Sequence, residues 1–148
     1  MNGFLIDTNV ISELRKGPRA NPNVRDWFDR EENDRMFLSV LVLGEIRRGI
    51  EIIRKRDTKA AVALERWLAN IIGLKADQIL PVDAAVADKW GQLDTGGRLP
   101  VVDGLLAATA LVHNLTLVTR NVKDVARTGV EVVNPFEPRA ITVRVSRP

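Results

Sequence analysis

Residues 3–9 read Gly-Phe-Leu-Ile-Asp-Thr-Asn, a short apolar run that breaks into three polar residues. This pattern predicts a buried strand that ends at a turn, with Thr8 or Asn9 capping the helix that follows. In an open parallel sheet, ligands bind beyond the carboxyl ends of the strands. Asp7 therefore stands where such a sheet places its functional side chains.

The alternation of strand and helix continues outward from this stretch. Helical spacing of apolar residues predicts helices over 39–55, 58–73 and 103–113, and shorter helices around 10–16, 21–28 and 83–90. Short apolar runs predict further strands at 36–40, 79–82, 115–119 and 130–133. Strands that alternate with helices indicate an α/β fold, with a mostly parallel sheet covered on both faces.

The length of 148 residues fits a single domain, which we place at residues 1–136. Residues 137–148 form a C-terminal tail beyond the apparent end of the fold. The alternation of Ile141, Val143 and Val145 is compatible with an edge strand there. A disordered or partner-contacting basic tail fits the same residues at least as well.

Composition narrows the function classes. The net charge of +3 leans weakly towards polyanionic partners. No apolar run approaches the roughly 18 residues that span a bilayer, and we expect neither a membrane segment nor a secretion signal. The sequence contains no cysteine, so disulfides and thiolate metal sites are excluded, which fits a cytoplasmic protein.

Four acidic residues fall at the ends of predicted elements: Asp7, Glu45, Asp103 and Asp124. Each also has an ordinary explanation: Asp7 and Asp103 as helix N-caps, Asp124 as a turn residue, and Glu45 as a solvated helix residue. Apolar neighbours surround Glu45 in the sequence, so we expect it at the edge of a buried face, with a partner.

Together the four acids fit one chemistry. Mg²⁺ prefers oxygen ligands and is typically held by one or two carboxylates and several waters. A carboxylate cluster without histidine or cysteine therefore favours Mg²⁺ or Mn²⁺ over zinc. Such ions suit the hydrolysis of phosphodiesters. The single histidine, His113, falls at the far end of its predicted helix from Asp103.

Four separated motifs carry a family resemblance: Phe-Leu-Ile-Asp-Thr-Asn-Val-Ile-Ser-Glu at 4–13, Ser-Val-Leu-Val-Leu-Gly-Glu-Ile at 39–46, Val-Val-Asp-Gly-Leu-Leu-Ala-Ala-Thr-Ala at 101–110, and Leu-Val-Thr-Arg-Asn at 117–121. With Val-Val-Asn-Pro-Phe at 132–136, they resemble the PIN-domain ribonucleases of the VapC and FitB toxin type. The resemblance implies a three-layer α/β/α sandwich around a parallel five-stranded sheet. It also implies a toxin that cleaves RNA, forms a homodimer and is blocked by a small antitoxin protein.

The resemblance implies that Asp7, Glu45 and Asp103 form the carboxylate core, and we take Asp7 and Asp103 as the metal ligands. Many relatives carry an acid directly after the fourth strand, where this sequence has Asn121. Asp124, three residues on, is the alternative for this fourth catalytic position. We expect Thr8, Arg120 and Asn121 to contact the substrate, although Arg120 is equally well explained as a surface charge.

Three other functions share some of these features. A haloacid-dehalogenase-like phosphatase also begins with an Asp at a strand end, but it needs a second Asp where this sequence has Asn9. A phosphoacceptor receiver domain normally pairs two acids after its first strand, and Asp7-Thr8 does not supply them. A non-catalytic RNA-binding module explains the basic charge but not the acids at the element ends.

Overall fold

The computed structural model describes residues 3–93 and 97–144. Its centre is a six-stranded sheet with the order β3-β2-β1-β4-β5-β6. The first five strands are parallel, and β6 pairs antiparallel with β5. The strands are β1 (Phe4–Ile6), β2 (Met36–Ser39), β3 (Ile79–Leu80), β4 (Thr116–Val118), β5 (Glu131–Val133) and β6 (Val143–Arg144).

Seven α-helices in the described residues cover the sheet. They are α1 (Thr8–Leu14), α2 (Pro22–Arg30), α3 (Val40–Arg54), α4 (Thr58–Leu74), α5 (Ala84–Leu93), α6 (Val101–Val112) and α7 (Val122–Ala126). Helices α3 and α4 pack on each other, as do α5 and α6. The predicted α/β/α sandwich around five parallel strands is confirmed. No helix within the described ranges is both long and apolar enough to cross a bilayer.

Several local expectations need correction. Helix α1 is capped by Asp7 rather than by Thr8 or Asn9, which are the first two residues of the helix. Helix α7 and three short 3₁₀ turns were not expected, because segments this short carry no apolar periodicity. The predicted loop at 94–100 is confirmed for 97–100, which form no helix or strand, and 94–96 lie outside the described residues.

The C-terminal segment reaches the sheet. Val143 pairs with Val132 and Arg144 with Glu131, so the edge-strand interpretation is confirmed for these two residues. Val145, the third residue of the predicted alternation, lies outside the described part of the chain. The division into a domain at 1–136 and a tail at 137–148 stays a prediction.

The core lies around β1, because this strand is central in the sheet and helices cover both of its faces. Leu5 and Ile6 are fully buried. Phe4 meets the indole of Trp27 edge to face, with ring centroids 5.2 Å apart, a contact that adds about 1 kcal/mol to the burial of the two rings. The residue that follows β1 is therefore held on a rigid strand.

Ion pairs connect the two long helices. Arg47 and Arg54 on α3 each contact Glu65 on α4, at 2.7 Å and 2.8 Å. Both arginines also contact Glu51 on their own helix. Exposed pairs of this kind contribute little individually, but a closed network restrains its members together. It helps to fix the position of α3, the helix that carries Glu45.

Gly3 marks a close approach of two chain segments. A Cβ at this position would overlap the carbonyl oxygen of Arg35, which belongs to the backbone and cannot rotate away. We therefore expect Gly3→Ala to lower the free energy of unfolding by ~1–3 kcal/mol in urea denaturation. Gly73→Ala on α4 is the matched control, since a Cβ there meets nothing within 4 Å and alanine favours a helix. Equal losses in the two variants would contradict the close approach.

Candidate functional site: four carboxylates at the sheet edge

Asp7 is the most buried of the four acids, with 7 % of its surface exposed. It lies directly after β1, and its backbone amide donates to the carbonyl of Val118 at the end of β4 (2.9 Å). Its Oδ1 accepts a hydrogen bond from the amide of Thr8 (2.7 Å). The helix-cap interpretation of Asp7 is thus confirmed for Oδ1, whereas Oδ2 has other partners.

Two residues that the sequence analysis did not select hold that other oxygen. The hydroxyl of Thr119 donates to Asp7 Oδ2 at 2.7 Å, and the amide nitrogen of Asn9 donates to it at 3.3 Å. Asn9 also accepts a hydrogen bond from the backbone amide of Arg120 (3.2 Å). Asn9 and Thr119 therefore orient the carboxylate of Asp7 rather than contribute charge of their own.

Burial raises the pKa of Asp7, because the charged form loses its hydration in the interior. The hydrogen bonds from Thr119, Thr8 and Asn9 favour the charged form and work against this effect. These three donors are the protein's partial substitute for water around a buried carboxylate.

Glu45 lies in the second turn of α3, which begins after its N-cap Ser39. Its side chain is exposed, and it borders the buried face of α3, because Val42 and Ile46 beside it on the helix are buried and Leu41 is half-buried. The expectation that Glu45 lies at the edge of a buried face is therefore confirmed. The expected partner is present, because the hydroxyl of Thr8 donates to Glu45 Oε1 at 2.7 Å. Thr8 thus links Asp7, through its amide, to Glu45.

Asp103 is the third residue of α6, whose N-cap is Pro100. The interpretation of Asp103 as a helix cap is therefore wrong. Burial raises the pKa of Asp103, and the negative charges of Asp7, Asp124 and Glu45 raise it further. All four acids selected from the sequence therefore lie close enough together to repel one another at Asp103.

Asp124 and Asn121 occupy neighbouring positions at the start of α7. Asp124 is exposed and lies in the first turn of this helix, so it is a helix residue rather than a turn residue. Its charge acts on Asp103. Asn121 precedes the helix, and its backbone amide donates to the hydroxyl of Thr119 (3.1 Å). Asn121 thus supports the residue that holds Asp7, whereas Asp124 adds charge to the cluster.

Arg120 projects from the same edge of the sheet. Its guanidinium carbon lies 4.5 Å from the ring centre of Phe136, a cation–π contact. The side chain is nevertheless exposed. This contact orients a cation beside Asn121 without neutralising it.

The cluster offers only oxygen donors, since His113 is the C-cap at the opposite end of α6. Within residues 3–93 and 97–144, no group of three or more His, Cys, Asp or Glu side chains is arranged to hold a metal ion. Mg²⁺ needs only one or two carboxylates and takes its remaining ligands from water. The mutual repulsion at Asp103 is also what a bound cation would relieve, so the donor set fits such an ion.

A separate cavity lies away from the four acids. It has a volume of about 520 Å³, and apolar side chains such as Leu14, Phe28 and Ile71 line much of it. None of the four acids lines this cavity. The candidate site is therefore the open sheet edge, which gives access to a polymer rather than enclosing a small molecule.

Comparison with known proteins identifies the family. Residues 4–130 match the sequence profile of the PIN domain. The chain belongs to the PIN-domain family. Toxin FitB of Neisseria gonorrhoeae is 35 % identical to this PIN domain over 138 residues, which cover 90 % of this chain and 98 % of FitB. The VapC ribonuclease Y4jK of Sinorhizobium fredii is 30 % identical over 142 residues, 91 % of this chain and 99 % of Y4jK.

A solved structure agrees with this assignment. A chain in the crystal structure of FitAcB from Neisseria gonorrhoeae matches this PIN domain with a TM-score of 0.83 at 34 % identity. The match covers 90 % of this chain and 99 % of that one. The resemblance stated from the four sequence motifs is confirmed.

The repulsion at Asp103 gives a first test of the site. In EDTA, at low salt and pH 7, we expect Asp103→Asn to raise the melting temperature by a few degrees, since ~1 kcal/mol corresponds to roughly 4 °C in a domain of this size. The neutral amide removes a partly buried charge and its repulsion by three other acids. The matched control is Asp77→Asn, at an exposed position in the turn before β3, at the opposite edge of the sheet.

The pH dependence has a defined sign. Because the pKa of Asp103 is raised in the folded protein, its charge opposes folding fully above that raised pKa. The opposition vanishes below the ordinary pKa of an aspartate, where Asp103 is protonated in both states. The advantage of Asp103→Asn should therefore disappear in melts recorded at progressively lower pH. An advantage that persists in acid would show that charge is not its cause.

Proposed function

We propose that this PIN domain is a Mg²⁺-dependent endoribonuclease that hydrolyses RNA phosphodiester bonds and acts as the toxin of a toxin–antitoxin pair. The observation that carries the proposal is the grouping of four carboxylates at an open, solvent-accessible end of the sheet: hydrogen bonds through Thr8 join Asp7 to Glu45, and the charges of Asp7, Glu45 and Asp124 act on Asp103. The relatives named toxin FitB and VapC ribonuclease, matched over nearly their full lengths, support the choice of reaction and role.

In this proposal Asp7 and Asp103 hold the metal ion, with Glu45 and Asp124 completing the catalytic set. A bound Mg²⁺ or Mn²⁺ supplies an activated water and neutralises charge on the phosphate oxygens. Thr119 and Asn9 keep Asp7 in one orientation, and Thr8 holds Glu45 beside it.

Substrate contacts follow from the surroundings of the carboxylates. Arg120 is an exposed cation fixed by Phe136 beside the cluster, and it is suited to a phosphate of the RNA backbone. Asn121 and the hydroxyl oxygen of Thr8 supply polar contacts on either side. Positive charge near the acids is needed because the acids alone would repel a polyanion.

The cellular part of the proposal rests on the comparisons. As a toxin of the FitB and VapC type, the protein would act in the cytoplasm, form a homodimer and bind a cognate antitoxin protein that blocks the carboxylate edge. A short neighbouring gene that encodes such an antitoxin would support this role.

The alternative functions find no support in the geometry. A haloacid-dehalogenase-like phosphatase would need an acid at position 9, and Asn9 instead uses its amide to hold Asp7 and to accept from Arg120. A non-catalytic RNA-binding module gains nothing from four clustered carboxylates, since they weaken RNA binding.

The first activity test is metal-dependent cleavage. Purified protein should cut single-stranded or looped RNA in Mg²⁺ or Mn²⁺, and EDTA should stop the reaction. Asp7→Asn and Asp103→Asn should each lower the rate at least ~10²-fold, since a lost metal ligand removes several kcal/mol of transition-state stabilisation. Asparagine can still cap α1 at position 7, so the fold should persist. Asp77→Asn again serves as the control and should cleave like the unmutated protein.

A second readout does not depend on activity. Mg²⁺ at ~100 times its dissociation constant should stabilise the unmutated protein by about 2.7 kcal/mol, and Asp103→Asn should gain much less. Full cleavage in EDTA, or equal stabilisation of the two proteins by Mg²⁺, would contradict the metal site.

The fourth catalytic position is decided by comparing Asp124 with Asn121. The charge of Asp124 acts on Asp103, whereas Asn121→Ala keeps the backbone amide that supports Thr119 and removes only a side chain expected to contact the substrate. We therefore expect Asp124→Ala to lower metal-dependent cleavage by about tenfold or more and Asn121→Ala to act mainly on KM. If Asn121→Ala lowered kcat while Asp124→Ala did not, the assignment of Asp124 would be wrong. Unchanged kcat in both variants would mean that three carboxylates are sufficient.

A further inference from the structure

A groove of about 490 Å³ lies next to the carboxylate cluster, between α7 and the strands β5 and β6. Asn121, Lys123 and Asp124 line one side of it, and Asn134, Ile141 and Val143 line the other. Its volume falls in the range of sites that bind small organic molecules. Arg120, Asn121 and Asp124 at its near end already belong to the proposed site, whereas Lys123, Asn134, Ile141 and Val143 have no role assigned so far.

The groove shares one residue, Asp124, with the proposed catalytic set. Asp124 lines the groove and also acts electrostatically on Asp103 in the cluster. Arg120 lines the groove as well and is held there by Phe136, with 4.5 Å between the guanidinium carbon and the ring centre. A chain molecule bound at the carboxylates therefore has an adjoining depression to enter.

The lining combines charged, apolar and amide surface, and its charges include the acids Asp124 and Glu137 as well as the cations Arg120 and Lys123. Arg120 and Lys123 are exposed cations that suit a phosphate. Ile141 and Val143 are 74 % and 42 % exposed, which leaves apolar surface for the face of a base. Asn134 presents an amide beside them, and its carbonyl oxygen accepts from the backbone amide of Phe136 (3.0 Å), which fixes the side chain. A nucleotide unit has this same combination of an anionic group, a flat apolar face and polar edges.

The two sides of the groove differ in their relation to the family. The side formed by residues 120–124 lies within the matched PIN domain, which ends at residue 130. The side formed by Asn134, Ile141 and Val143 lies beyond that match and depends on the pairing of β6 with β5. The outer side is therefore a place where substrate preference can vary without changing the carboxylates.

We propose that this groove is a subsite for one nucleotide of single-stranded RNA next to the cleaved bond, with Lys123 contacting its phosphate and Ile141 and Val143 contacting its base. The subsite rests on the proposed ribonuclease function and makes the segment after residue 136 part of substrate recognition. A protein segment is the other class of ligand that a mixed groove accepts, and the test below separates the two.

The test uses Lys123→Ala and Ile141→Glu, two exposed positions outside the carboxylate set. Their matched controls are Lys59→Ala and Ile72→Glu on α4, which are exposed and outside the groove. Each variant is assayed with mixed-sequence single-stranded RNAs of about 12 and about 4 nucleotides, so that only the longer RNA extends fully beyond the cleavage site. Thermal melts show whether the variants remain folded.

With the longer RNA, both groove variants should raise KM about fivefold or more and change kcat less than about twofold. The effect should shrink with the shorter RNA, and the controls should match the unmutated protein. A change in kcat alone, or an equal rise in KM with both RNAs, would overturn the subsite. Unchanged KM in both groove variants would overturn it as well and leave the groove to a protein ligand.

Failure of the ribonuclease function itself gives a different result, namely no cleavage of either RNA by the unmutated protein. The subsite is then tested by fluorescence anisotropy of the labelled longer RNA in EDTA. Weaker binding by Lys123→Ala and Ile141→Glu, but not by their controls, supports it. Equal binding by all five proteins, or no binding by any, overturns it.

Discussion

Ile6 lies opposite Val118 in the parallel pairing of β1 with β4, and both strands end there. The residue that follows each strand belongs to the site. Asp7 and Thr119 consequently meet at the carboxyl edge of the sheet, where a 2.7 Å hydrogen bond joins their side chains. A slip of one residue in this pairing would turn the side chains of the slipped strand to the opposite face of the sheet, which would separate Asp7 from Thr119. The buried strand residues, which fix the pairing through packing, thus also fix the position of the most buried carboxylate.

The candidate site brings several carboxylates together, and their negative charges destabilise the fold. Burial and three neighbouring acids act on Asp103, and burial acts on Asp7. The protein offsets part of this cost locally, through the hydroxyls of Thr119 and Thr8 and the amide of Asn9. A bound cation can relieve the repulsion that these donors do not offset. We therefore expect the site to bind metal and the fold to be less stable without it.

The sequence placed Asp7 directly after a strand and Asp103 near the start of an apolar helix, because both follow strong local signals. Glu45 inside α3 and Asp124 in the unexpected α7 carry no such signal. The roles of Asn9 and Thr119 could not be predicted from the sequence, because they depend on β4 lying beside β1. Local sequence patterns do not determine the order of strands in a sheet. Knowledge of that order alone would have paired Thr119 with Asp7. The N-cap of α6, Pro100, was not predicted because its side chain has no capping group. Asp103 was therefore taken as the candidate cap instead. For the segment that forms β6, an edge strand and a tail were both possible interpretations. A strand of two residues shows too little alternation to choose between them.

Both outer strands of the described sheet, β3 and β6, are two residues long. An edge strand exposes unpaired backbone amides and carbonyls, and a long one can add a strand from another chain. Here the described part of each edge strand offers only a short row of such groups, while the strands of three and four residues lie inside the sheet. The shortness of β3 therefore leaves another chain little backbone to pair with on that side of the sheet.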